Sequence, residues 1–143
     1  MVALTVPAVG VGDDTLASWA ADVKAAIDDL YSPSVDTSVG SIAAGFILVS
    51  QSVRSMLGGR LCFLSLTVQS TALLSATAGN IGDITCFTLD AAYRPAERVA
   101  VAWGSTVGGF GVINTTGTCQ LWTASDDVPA SQNIQFGATY LLA

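Results

Sequence analysis

The apolar positions follow two different periods, and the change from one to the other divides the chain. Between residues 15 and 30 they fall at Leu16, Trp19, Ala20, Val23, Ala26, Ile27 and Leu30, the i, i+3, i+4, i+7 spacing of an amphipathic helix. Asp13 or Asp14 supplies an N-cap, and the acidic first turn suits the positive end of the helix dipole. Ser32-Pro33 closes the element, while Asp28 and Asp29 sit at the unfavourable end. About four turns of helix are marginal alone in water, so the stripe Leu16, Trp19, Val23, Ile27 and Leu30 is expected to dock on something. That partner is either the rest of the chain or the same helix in sister copies, and the pattern leaves both open.

After a Ser-, Pro- and Gly-containing connector at residues 33–45 the period becomes two. Residues 45–51 and 53–57 are short apolar runs before a Gly58-Gly59 turn signal. Residues 60–69 place Cys62, Leu64, Leu66 and Val68 on one face, with Ser65 and Thr67 on the other. Residues 70–83 are small, polar and glycine-bearing, and read as a loop with room for a short strand at 71–74. Further strands are expected at 84–89, 98–103, 107–113, 118–122 and 133–142, the last with Ile134, Phe136, Ala138, Tyr140 and Leu142 on one face. Gly108-Gly109-Phe110-Gly111 has no helical pattern behind it, so it reads as a strand passing close to another backbone rather than as a phosphate loop. The fold expected is mainly β. It comprises an N-terminal arm and one α-helix in residues 1–32, the connector, and a jelly-roll-like antiparallel β-sandwich of seven to eight strands over 46–143.

Composition adds a surplus of apolar surface. Apolar residues make up 51% of the 143, and 14 glycines add about a tenth more, against ~45–50% in an ordinary soluble domain counted the same way. Leu61 and Phe63 lie opposite Cys62 and Leu64, so some strands are apolar on both faces. The cover is either a membrane or a large permanent interface. The best apolar run, 42–49, stops at Ser50-Gln51-Ser52, short of the ~20 residues of a membrane span. The first twelve residues lack the basic start of a signal peptide. No membrane association is therefore expected; an interface with further copies of the chain would supply the cover, and a well-filled sandwich core could account for part of it.

Charge and chemistry narrow the function. Net charge is −6, and the only cations are Lys24, Arg54, Arg60, Arg94 and Arg98, too few and too scattered for a phosphate-binding face, so no nucleic acid is expected as partner. The chain has no histidine, which removes Ser-His-Asp and Cys-His nucleophile chemistry and most zinc sites. Cys62, Cys86 and Cys119 are odd in number, not in metal spacing, and set in apolar runs, so they read as buried side chains. The acidic pairs are adjacent in sequence, whereas glycosidase carboxylates face each other across a cleft. No cofactor, no metal and no enzymatic activity are expected.

The stretch Phe87-Thr88-Leu89-Asp90-Ala91-Ala92-Tyr93-Arg94-Pro95 resembles the leucine, turn, aromatic-Arg-Pro element of C-terminal β-sandwich domains in bacteriophage virion proteins such as tail fibres and head fibres. An alternating strand, a glycine-bearing turn at Asn114-Thr115-Thr116-Gly117 and a final strand follow in the same order. The Pro-containing opening around Leu4 to Pro7, followed by a helix, is similar to that of many phage structural proteins. One departure is Asp90, where the family turn commonly begins with proline. The resemblance implies a homotrimer that forms part of a virion assembled in the host cytoplasm. Short length then favours a capsid decoration protein (minor capsid or head fibre type) that binds the major capsid protein or other virion proteins and stabilises the shell by linkage. Its anchor or trimer stem would be residues 1–30. The alternative is a tail-fibre or tail-tip receptor-binding protein that recognises a glycan or protein of the host surface. There Trp122, Asp126 and Asp127 would be contact residues, with Tyr140, Gln132 and Asn133 beside them.

Overall fold

The computed structural model describes residues 13–31, 34–57 and 59–143, apart from the side chains of 13–16 and 29. Asp13 and Asp14, the expected N-caps, are the first residues of the helix, but their side chains, the arm at 1–12, the expected stop Ser32-Pro33 and Gly58 of the expected turn lie outside the described residues. The helical period is realised as α1 (Asp13–Tyr31). Nine strands follow: β1 (Ser34–Asp36), β2 (Gly40–Ile42), β3 (Phe46–Met56), β4 (Leu61–Ser70), β5 (Asn80–Leu89), β6 (Val99–Gly104), β7 (Gly108–Ile113), β8 (Thr118–Ala124) and β9 (Asn133–Leu141). They form one antiparallel sheet in the order β1-β3-β4-β9-β6-β7-β8-β5-β2. The fold is thus mainly β with one N-terminal helix, as the two periods require.

Two overlapping Greek keys share the meander β6-β7-β8, because β9 lies beside β6 and β5 beside β8. The sheet cannot be flat. Nine strands at ~4.8 Å spacing would put β1 and β2 about 38 Å apart, yet only residues 37–39 join them, a reach of about 14 Å between Asp36 and Gly40. The sheet therefore rolls until its two edges approach, and the core forms inside the roll. Its crease is the seam between β6 and β9, which pair only at Trp103–Phe136 and Gly104–Gln135. The linker works as a clasp. Val39 is fully buried; its amide donates to Gln51 Oε1 at 3.4 Å and its carbonyl accepts from the Asp90 amide at 2.9 Å. Beside it the Tyr93 hydroxyl donates to the Asp36 carboxylate, which also accepts from the Ser38 amide.

The alternation at 60–69 is fulfilled: Cys62, Leu64, Leu66 and Val68 are buried, while Phe63 and Ser65 face out. Val101, Trp103, Ile134, Phe136 and Tyr140 meet them from β6 and β9. The glycine run also behaves as expected. A Cβ on Gly109 would collide with the Thr123 carbonyl and the Trp103 ring, so only glycine lets this indole lie against the strand. The Trp103 Nε1–H then donates to the Phe110 carbonyl at 3.1 Å. Asp90 adopts φ −62° and ψ 158°, dihedrals a proline would share, but its N–H is used by Val39, which proline would forfeit. Arg94 before Pro95 is extended, at φ −76° and ψ 139°.

Three expectations are revised. The two runs at 45–57 are one strand, β3, whose continuity is interrupted only by a bulge between Leu48 and Ser50. Residues 33–45 contain β1 and β2, which raise the strand count to nine; at three residues each they have no room to show a period. Residues 71–74 form no strand beyond a bridge from Leu74 to Val128, and β5 starts earlier than expected, at Asn80. Its first residues show no alternation because a register shift falls between Asn80 and Ile84, with Gly82 at φ 85° and Asp83 at φ 54°.

Candidate functional site

The strand registers give the molecule two poles. Leu61 of β4 pairs with Leu141 of β9, and Leu57 donates its amide to the Leu30 carbonyl at 3.1 Å, so α1 ends at the same pole as β9. At the other pole Gln69 pairs with Asn133, and Gly104 pairs with both Gly108 and Gln135. The β4–β5, β6–β7 and β8–β9 connections all gather at this distal pole, with the β2–β3 turn. Loops on a rigid β scaffold are where binding residues concentrate.

A cleft of about 430 Å³ opens at the distal pole between the β6–β7 turn and the start of β9. Its lining is Gly104, Ser105 and Thr106 on one side and Gln132, Asn133 and Gln135 on the other, with no charged side chain. Asn133 Oδ1 accepts from Gln69 Nε2 at 2.7 Å, which fixes its amide so that its NH₂ stays free to donate. Ser105 Oγ is enclosed yet has no hydrogen-bond partner in the protein, and such a group is costly unless something satisfies it. The charges are divided accordingly. Arg54, Arg60, Arg94 and Arg98 lie in the half of the sheet that adjoins α1, and Lys24 is on α1 itself. The distal loops carry Asp126 and Asp127, and Asp83 lies near the distal start of β5.

A second cleft, about 420 Å³, lies along the seam where β6 and β9 diverge. Ala96, Glu97, Arg98, Val99, Ala100, Tyr140 and Leu141 line it. The buried Tyr140 hydroxyl donates to the Tyr93 carbonyl at 2.8 Å, and burial raises its pKa. Its floor is therefore a fixed, protonated phenol.

The sequence-derived contact residues are dispersed. Trp122 sits at a bulge of β8 on the outer face, half-buried, with the Arg98 guanidinium 4.2 Å from its ring centroid, so a cation already occupies that stacking face. Asp126 is exposed, and Asp127 accepts from the Ala76 amide at 2.6 Å, bracing the β8–β9 loop. None of the three lines either cleft. Gln132 and Asn133 do line the distal cleft, whereas Tyr140 belongs to the core and the seam. Sequence reasoning missed Ser105, Thr106 and Gln135; the usable signal was the uncharged Gly-Ser-Thr turn between two apolar strands. On the helix, Trp19, Ile27 and Leu30 are exposed and Val23 is half-buried. The Leu16 side chain is outside the described residues.

The remaining reactive groups are sequestered. Desolvation by burial pushes all three thiols up, Cys119 to about 12, so none is a thiolate at neutral pH. Among the described residues no three His, Cys, Asp or Glu side chains converge to hold a metal.

Together the rolled sheet, its two Greek keys and the leading helix define the class: a helix-led, single-sheet β-sandwich. The receptor binding protein (gp15) of Listeria phage PSA shares this fold with a TM-score of 0.61, over 96% of this chain and 82% of that one, at 20% identity. No protein-family model matches the sequence, and no curated protein does.

Proposed function

We propose that this chain is a virion protein of a bacteriophage and acts in receptor binding, holding a β-sandwich head out towards the host surface. The observation that carries this reading is the polarity of the head. The N-terminal helix joins at one pole, and the long loops with an uncharged polar cleft lie at the other. The likeness to a phage receptor binding protein over nearly the whole chain supports the same direction. Of the two roles expected from sequence, it supports the tail-fibre or tail-tip alternative over capsid decoration.

The working form in this proposal is a homo-oligomer, and the phage resemblance implies a trimer. The exposed Trp19, Ile27 and Leu30, and the outward Phe63 and Leu141 near the same pole, are the surface that other copies would cover. No catalytic step, cofactor or nucleic acid enters the proposal.

The test is a pair of measurements: the copy number of the chain against the major capsid protein in purified particles, and competition of phage adsorption by the isolated chain. A receptor-binding component is expected at a few to a few tens of copies and blocks adsorption. Hundreds of copies in fixed ratio to the shell, with no competition, would return the chain to capsid decoration.

A further inference from the structure

We infer that the distal cleft is a binding site for an uncharged saccharide. This rests on the receptor-binding reading above and narrows it to one site and one ligand class. Two features converge. The polar side chains lining it, Thr106, Gln132, Asn133 and Gln135, both donate and accept, as a polyol does. The volume of about 430 Å³ lies within the ~300–1,000 Å³ of small-molecule sites.

The charge distribution then excludes one large group of surface ligands. Phosphate- or carboxylate-bearing glycans need cations, and Arg54, Arg60, Arg94 and Arg98 all lie in the other half of the sheet. Asp126, Asp127 and Asp83 give the distal pole a negative field, which repels anions and leaves a neutral sugar unaffected. The Gln69–Asn133 hydrogen bond holds one polar arm in place before any ligand arrives, which lowers the ordering cost of binding.

The experiment is saturation-transfer NMR and titration of the full chain with two panels. One contains methyl glycosides of neutral hexoses, 6-deoxyhexoses and N-acetylhexosamines; the other contains uronic acids, sialosides and hexose phosphates. Binding is expected in the neutral panel only. It should weaken about tenfold or more in Gln135→Ala and in Asn133→Asp, which keeps the acceptor for Gln69 but loses the donor. Both variants should keep the native thermal midpoint, since both positions are exposed. Preference for the anionic panel, binding untouched by both variants, or no binding in either panel would overturn the site. A chain that blocks phage adsorption yet fails these tests leaves the receptor role standing without this cleft. A chain that binds neutral glycosides through the cleft but does not block adsorption keeps the site and removes the receptor role.

Discussion

Gly109 is where the smallest side chain decides the largest packing event, because the Trp103 indole occupies the space a Cβ would need. Gly109→Ala is expected to cost about 1–3 kcal/mol by overpacking, read as a lower urea midpoint with unchanged m-value. Asp36 makes a pH prediction. The Tyr93 hydroxyl, then the Ser38 amide, hold its carboxyl below the ordinary value. A depressed folded pKa contributes stability above the unfolded value of ~3.9 that is lost as pH falls through the folded one. The thermal midpoint should therefore fall on acidification below about pH 4, and Asp36→Asn should flatten that fall while lowering the midpoint at pH 7. The buried thiols should resist a thiol reagent in the native chain and react once it is unfolded. At this scale much was legible in the sequence. Inward alternation marked Cys62, Leu64, Leu66 and Val68, and the glycine run marked a close approach. The setting of Trp122 was not legible: alternation after Leu121 turns it outward, but a cationic partner 24 positions away leaves no local pattern.

Among the elements, α1 was the most legible, since sixteen residues of one period admit few readings. What it docks on was not, because a stripe looks the same whichever surface covers it. Within this single chain the stripe stays open, with Trp19 39%, Ile27 48% and Leu30 42% exposed. If sister copies cover it, the mass in solution will be a multiple of 14.6 kDa, and Trp19→Ser with Ile27→Ser will shift it towards the monomer. Light scattering on the eluting protein checks both. A wild-type monomer would leave the stripe to a different protein. β1 and β2 escaped notice for the opposite reason: their place is set by partners 17 to 49 residues away in sequence, not by anything local.

For the molecule as a whole, the polarity of loops and charges emerges only once strand order is known, because Arg54 and Asp83 look equally scattered along the chain. The clasp at residues 37–39 bears on the unfolding rate as well as on equilibrium stability. Because it ties strands from both ends of the sheet, it is expected to close after the rest of the roll has formed and to contribute little to the folding transition state. Contacts absent from that transition state act on unfolding. Val39→Ala should therefore speed unfolding with little change in the folding arm, as denaturant-jump kinetics would show. A shift of the folding arm instead would place the clasp in the nucleus. How long the native fold persists is then a matter of an unfolding rate that this buried clasp helps to set.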